Sequence, residues 1–65
     1  MKDCRIFMEL DIGKETSKLY MKNPHKEDEL NTMENSTYFA QIYKRANPKP
    51  RYYVENVITG EIKEV

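Results

Sequence analysis

The sequence predicts an α+β or mostly β fold, built on a small antiparallel sheet of four to five strands with one short helical insertion. Residues 4–12 alternate apolar and polar side chains, which is typical of a half-buried strand. Residues 51–65 place strand-forming side chains on both sides of a Thr-Gly turn, which is typical of a hairpin. The chain has 65 residues, enough for a single small domain over residues 1–65.

The first two strands are predicted to form a hairpin. Every second residue from position 4 to position 12 is apolar, and only Phe7 interrupts the polar face between them. A lone aromatic on such a face is usually a cross-strand packing residue, although an exposed contact residue gives the same pattern. Residues 13–17 predict a turn, and residues 18–22 predict a return strand with Leu19 and Met21 on one face.

Residues 23–36 have a different character. Pro24 suits the first position of a helix, and the acidic residues 27–29 suit a helix N-terminus. The segment predicts a short helix, or a charged loop with one helical turn, in which Leu30 and Met33 form a narrow apolar stripe. Four acids against one lysine give it a net charge of −3, which is typical of a solvated surface segment.

Residues 37–46 fit two structures. As a helix they would bury one apolar stripe, formed by Phe39, Ile42, Tyr43 and Ala46. As a strand they are favoured by three aromatic side chains, and we prefer the strand on that ground. A strand would let the sheet curl into an SH3-like or OB-like meander, whereas a helix would cover one face of an α+β sheet.

The last hairpin is the clearest element of the chain. Tyr52, Tyr53 and Val54 are strand formers, and Ile62 continues the pattern on the return strand. Gly60 supplies the positive φ that a tight turn or a G1 bulge requires.

The spacing of reactive residues argues against an enzyme and against a bound cofactor or metal ion. Cys4 is the only cysteine and lies on the apolar face of the first predicted strand, where a buried thiol is expected. His25 is the only histidine and lies in a polar segment, so it predicts an exposed residue rather than a catalytic base. Gly13 and Gly60 are too far apart to form a phosphate-binding loop.

Charge and composition limit the location and origin of the protein. Eleven basic and eleven acidic residues cancel, so no overall positive field attracts nucleic acid or an anionic membrane. Glu9 and Asp11 interrupt the N-terminal apolar stretch, which fits neither a signal peptide nor a membrane span. A single thiol without an export signal predicts a cytoplasmic protein. Frequent Lys, Asn, Ile and Tyr, which A/T-rich codons encode, favour a bacterial or phage origin.

Residues 38–54 form the candidate site, which we call the basic-aromatic strip. The strip contains four cations and no acid, and its aromatic side chains are interleaved with the cations. The predicted docking face consists of Tyr43, Arg45, Arg51 and Tyr53, with Lys44 and Lys49 at its rim.

Three interpretations of the strip remain open at this point. In the first, its tyrosines are half-buried strand residues and its cations protect a sheet edge. In the second, the strip is a hot-spot surface for a protein partner. In the third, it binds single-stranded DNA or RNA. The segment 23–36, which has a net negative charge and lies beside the strip in the sequence, favours a protein partner, and it also suits a symmetric homodimer. The sequence therefore predicts a non-catalytic protein that binds and regulates, or inhibits, a protein partner, with nucleic-acid binding as the alternative.

Overall fold

A computed structural model of the chain describes residues 1–21 and 30–65. The elements follow the order β1 (Cys4–Ile12), β2 (Glu15–Tyr20), α1 (Met33–Ala46), β3 (Arg51–Asn56) and β4 (Ile62–Glu64). The four strands form one antiparallel sheet in the order β2-β1-β3-β4. This confirms the predicted α+β fold with a small antiparallel sheet and one helix. Within the described residues β2 and β4 are the two edges, and an SH3-like or OB-like meander is not confirmed.

The first hairpin is tighter than the sequence predicts. Ile12 pairs with Glu15, so the turn consists of Gly13 and Lys14 alone. Gly13 has a φ of +65°, a conformation that favours glycine and that two-residue hairpin turns require. The return strand β2 therefore begins inside residues 13–17, which the sequence assigns to the turn.

Residues 37–46 are helical, so the preference for a strand is wrong. Helix α1 begins at Met33, and the side chain of its N-cap residue Thr32 accepts a hydrogen bond of 3.1 Å from the backbone N–H of Asn35. Glu34 lies in the first turn and basic residues lie in the last, which matches the helix dipole. These signals at both ends outweigh the strand propensity of the aromatic residues.

The buried side of α1 also differs from the predicted stripe. The fully buried helix residues are Ser36 and Ala40, whereas Phe39 and Ile42 are 43% and 41% exposed. Of the predicted stripe, Tyr43 packs against the core. Small residues on the inward side let a helix lie close to a sheet, and this packing turns the bulky side chains outward.

The core lies between α1 and the central strands. Cys4 and Ile6 of β1, Ala40 of α1 and Val54 of β3 form the buried cluster. The side chains that pack around it are half-buried: Met21, Met33, Tyr43 and Val65. The helix contacts β1 and β3 and makes no comparable contact with β2 among the described residues. We call the sheet face under α1 the helix side.

The predicted segment 23–36 lies partly outside the described residues, since these omit residues 22–29. Where the description resumes, Asn31 forms an antiparallel bridge with Cys4, with a backbone hydrogen bond of 2.8 Å in each direction. The chain therefore passes along β1 before α1 begins.

The last hairpin is confirmed. The backbone N–H of Gly60 donates to the carbonyl of Asn56 at 2.8 Å, and Gly60 has a φ of +80°. The side chain of Asn56 accepts hydrogen bonds from the backbone N–H groups of Ile58 and Thr59, at 2.9 and 3.1 Å. The Asn56 side chain thus organises the connection between β3 and β4.

Replacement of Ala40 by leucine tests the close packing of α1. Ala40 is fully buried, so Ala40→Leu should lower the free energy of unfolding by about 1–3 kcal/mol, measured by urea denaturation. Ala46→Leu is the matched control, because Ala46 is exposed on the same helix and the change there should cost less than about 0.5 kcal/mol. Equal effects of the two substitutions would contradict the assigned orientation of α1.

Candidate functional site

The structure separates the residues of the predicted docking face onto two sides of the sheet. Tyr52 and Val54 are buried on the helix side, so the alternate residues Arg51 and Tyr53 project from the opposite face, which we call the helix-free face. Tyr43, Lys44 and Arg45 belong to α1, and Lys49 lies in the connection from α1 to β3. Tyr43 and Tyr53 therefore do not form one stacking platform.

An aromatic cluster covers the helix-free face. Phe7 is only 2% exposed, and its ring stacks on Tyr53 with a centroid distance of 4.9 Å and an interplanar angle of 17°. Tyr20 meets the Phe7 ring edge-on at 5.7 Å, and the Lys18 ammonium lies 4.2 Å from the Phe7 centroid. Phe7 is thus a cross-strand packing residue, the first of the two predicted alternatives. Tyr53 has a structural role in the same cluster.

Arg51 is bound by carboxylates of the neighbouring strand. Its guanidinium donates to both oxygens of Asp11, at 2.9 and 3.1 Å, and to Glu9 at 3.3 Å. A bidentate pair of this kind fixes the orientation of the arginine. Asp11 also accepts a hydrogen bond of 2.9 Å from the Thr16 hydroxyl. Arg51 therefore has its hydrogen-bonding fork occupied within the chain, which makes it a poor contact for phosphate or for a partner.

Arg5 is paired in a similar way at the other end of the helix-free face. Its Nε donates to Glu55 at 2.7 Å, and its guanidinium carbon lies 4.0 Å from the centroid of the Tyr20 ring. Ion pairs that are partly exposed contribute little stability one by one. Their main effect here is that positive charge on this face is matched by nearby carboxylates.

The outward side of α1 has the opposite character. Tyr38 is 60% exposed, and Phe39 and Ile42 are both more than 40% exposed. The rings of Tyr38 and Phe39 meet edge-on with centroids 5.6 Å apart. Arg45 lies on the same side of the helix as Tyr38 and Ile42, since the three occupy positions i, i+4 and i+7. We call Tyr38, Phe39, Ile42 and Arg45 the outer helix surface.

The two cations at the end of α1 have different environments. Lys44 donates from Nζ to the backbone carbonyl of Val65 at 3.0 Å, so it is drawn towards β4. Arg45 is exposed and forms no ion pair or hydrogen bond with the part of the chain that the structure describes. Of these two cations, Arg45 is therefore the one that is better placed to meet an external carboxylate.

Cys4 is completely buried in the core. Burial, together with a hydrogen bond to Asp3, raises the pKa of the Cys4 thiol, so the thiol stays protonated and inaccessible. Among residues 1–21 and 30–65, no group of His, Cys, Asp and Glu side chains could hold a metal ion. His25 lies outside the described residues.

Comparison of the chain with models of known protein families, with curated proteins and with solved structures finds no match. No helix in the described part of the chain is long and apolar enough to cross a membrane. The outer helix surface and the helix-free face are therefore the features of the molecule from which a function can be inferred.

Sequence reasoning includes Tyr38 and Phe39 in the basic-aromatic strip but does not find the outer helix surface as a unit. Two overlapping stripes fit the helix, one of Met33, Ser36, Ala40 and Tyr43 and the other of Phe39, Ile42, Tyr43 and Ala46. The sequence interpretation considers only the second stripe, which is the more hydrophobic, and prefers a strand. The signal that was missed is the small size of Ser36 and Ala40, which suits close packing on a sheet.

The pairing of Asp11 with Arg51 predicts an acid-sensitive contribution to stability. Hydrogen bonds from Arg51 and Thr16 lower the pKa of Asp11 from 3.8 to about 2. A carboxyl with a lowered folded-state pKa contributes its full stability above the unfolded-state pKa and loses it as the pH falls through the folded-state value. The contribution of Asp11 should thus be present at pH 5 and decline between about pH 4 and pH 2.

Urea-unfolding midpoints measured from pH 5 to pH 2 test this expectation. Asp11→Asn should be less stable than the wild type at pH 5, and the difference should shrink as the pH approaches 2. Glu15→Gln removes an exposed carboxylate of β2 and serves as the control for a general charge effect. A difference between Asp11→Asn and wild type that is constant over the range would contradict the assigned role of the Asp11 carboxylate.

Proposed function

We propose that this protein is a small, non-catalytic, cytoplasmic interaction protein that binds and regulates a protein partner through the outer helix surface. Inhibition of a host protein by a phage or mobile-element protein would fit its size and composition. The observation that carries the proposal is the exposure of Tyr38, Phe39 and Ile42 along one side of α1.

The composition of this surface suits a protein interface. Aromatic residues and arginine are enriched among the residues that contribute most binding energy, and the outer helix surface combines two aromatics, one isoleucine and Arg45. Anchors at i, i+4 and i+7 are the pattern with which a helix enters an apolar groove. Tyr38, Ile42 and Arg45 follow that spacing.

The rigidity of α1 supports the same role. Ser36 and Ala40 are buried against the sheet, and the N-cap of α1 is formed by Thr32. The anchors are therefore held on a fixed element before the partner binds, which reduces the ordering cost of binding.

The charges indicate the chemistry of the partner. Arg45 lies at the C-terminal end of the outer helix surface and has no carboxylate partner within the described residues. The complementary surface is an apolar groove with an acidic residue at one end. Arg51 and Tyr53, which the sequence places in the docking face, are committed to contacts within the sheet and have no part in this proposal.

Ile42→Asp is the sharpest test of the outer helix surface. It places a charge in the centre of the proposed interface at a position that is already 41% exposed, so the fold should be retained. Partners captured by the tagged wild-type protein are identified and purified, and the dissociation constant is then measured for each variant. We expect Ile42→Asp to weaken binding at least tenfold, which corresponds to about 1.4 kcal/mol.

Ile58→Asp is the matched control, because Ile58 is 73% exposed in the turn of the last hairpin and the chemical change is identical. It should bind like the wild type, and circular dichroism should show the same fold for both variants. Unchanged affinity of Ile42→Asp for the purified partner would contradict the proposal.

Titration with labelled single-stranded DNA and RNA, at low and moderate salt, tests the alternative function. Binding that weakens steeply with salt, and that is lost when Arg45 and Lys49 are replaced by glutamine, would replace the protein-partner proposal with a nucleic-acid one. We expect no such binding, because Arg51 of the strip is paired with carboxylates and the chain has no net positive charge.

A further inference from the structure

Within the described residues, β2 is an edge strand whose outer side carries unpaired backbone groups. All six of its residues are exposed, and within the described residues it pairs only with β1. The backbone N–H of Met21, just past the end of β2, donates to the carbonyl of Ile6 at 2.9 Å. Because the backbone groups of an antiparallel strand alternate in direction, Leu19 also faces β1, whereas Lys18 and Tyr20 direct their N–H and C=O groups outward.

We propose that β2 pairs antiparallel with β2 of a second copy of this chain, about a two-fold axis that passes through Leu19. The two four-stranded sheets then join into one continuous sheet. The edge of β2 is distinct from the outer helix surface. A result that contradicts the dimer therefore leaves the proposed function unaffected, and the reverse also holds.

Symmetry limits the possible registers. Residues opposite each other in an antiparallel pair must lie on the same face of the sheet, and side chains alternate between faces. A two-fold axis between two copies of β2 must therefore pass through a residue and cannot pass between two residues. Ser17, Lys18 and Leu19 are the central candidates.

The side chains select Leu19 among these three. An axis through Lys18 would place two lysines directly opposite each other, which like charges disfavour, and would set Leu19 against Ser17 of the second copy. An axis through Ser17 would place the carboxylate of Glu15 opposite Leu19. An axis through Leu19 places the two leucines against each other on the helix side and Ser17 opposite Met21 of the second copy. The outward-facing Lys18 and Tyr20 then exchange backbone hydrogen bonds with Tyr20 and Lys18 of that copy.

A lysine on an edge strand often prevents edge-to-edge pairing of strands, but the position of Lys18 favours a different role. Its ammonium lies over its own sheet face, 4.2 Å from the centroid of Phe7 and 5.0 Å from that of Tyr20. The side chain is thus turned towards the aromatic cluster rather than over the edge. In the dimer Tyr20 of the second copy would extend that cluster across the axis.

A second copy is the occupant that best fits the edge. Leu19 is 54% exposed on a part of the helix side that α1 does not contact, so self-pairing buries apolar surface that the monomer leaves open. A chain of 65 residues has a thin core, and additional burial between copies is a common remedy. The contact is small, below about 1,200 Å², so we expect a dimer that dissociates in the micromolar range. The symmetry places both α1 helices on the same side of the joined sheet.

Sedimentation of the full chain from low micromolar to near-millimolar concentration tests the dimer. The wild type should shift from monomer to dimer, and Leu19→Asp should remain monomeric because it places two carboxylates on the axis. Ile62→Asp is the matched control on the other edge strand, since Ile62 is 50% exposed, and it should dimerise like the wild type. A monomeric wild type throughout the range would overturn the proposal. So would an association that Ile42→Asp abolishes while Leu19→Asp does not, because the copies would then meet through α1.

Disulfide trapping tests the register. In a Cys4→Ala background, Leu19→Cys places two thiols opposite each other at a non-hydrogen-bonded pair, a separation that a disulfide can span. Under mild oxidation Leu19→Cys should form covalent dimers at least tenfold faster than Ser17→Cys. Faster cross-linking of Ser17→Cys would overturn the Leu19 register. Circular dichroism of both variants shows that the monomer fold is retained, and the sedimentation result does not depend on the Cys4→Ala change.

Discussion

Helix α1 can lie on the sheet because its inward side is small. Ser36 and Ala40 are its fully buried residues, and Ala40 packs with Cys4 and Val54 in the buried cluster. The distance between packed elements depends on the side chains at the contact, so small residues allow a close approach. The bulky residues of the same helix must then lie outside the contact. The exposed aromatics of α1 are thus a consequence of how the core is built.

The two faces of the sheet are stabilised in different ways. The helix side buries the core under α1, whereas the helix-free face has no second layer in the described structure. Stacking of Phe7 on Tyr53 and the ion pairs of Arg5 and Arg51 satisfy that face within the chain. A face that is closed in this way has little left to offer a ligand.

Two surfaces of the described structure that remain open are the outer helix surface and the edge of β2. The helix offers apolar area, and the edge offers backbone donors and acceptors. If the β2 edges pair, two helices are presented side by side, and a partner with two grooves would gain affinity through the effective concentration of the second helix.

Local patterns were sufficient to predict most of the strands. Alternation over β1 and the turn chemistry at Gly60 each depend on a few neighbouring residues, and the structure confirms both. Residues 37–46 were harder, because their sequence satisfies a helical and a strand period at once. Two features favour the helix: the N-cap formed by Thr32, which lies outside residues 37–46, and the burial of one side of α1 against β1 and β3. The predicted docking face was divided for the same reason: once residues 37–46 are helical, Tyr43 and Tyr53 belong to different layers.

The sequence by itself determined the two hairpins, the neutral charge and the presence of a single cysteine, since each of these is a local or additive property of the chain. Tertiary structure decided which residues are available to a partner. Arg51 and Arg45 are both arginines of the basic-aromatic strip, yet one is held by Asp11 and Glu9 from another strand and the other is exposed at the end of α1. The availability of each arginine depends on contacts with residues that can lie about forty positions away in the chain. Such long-range pairing is determined by how the helix and the strands pack, and the sequence neighbours of each residue do not reveal it.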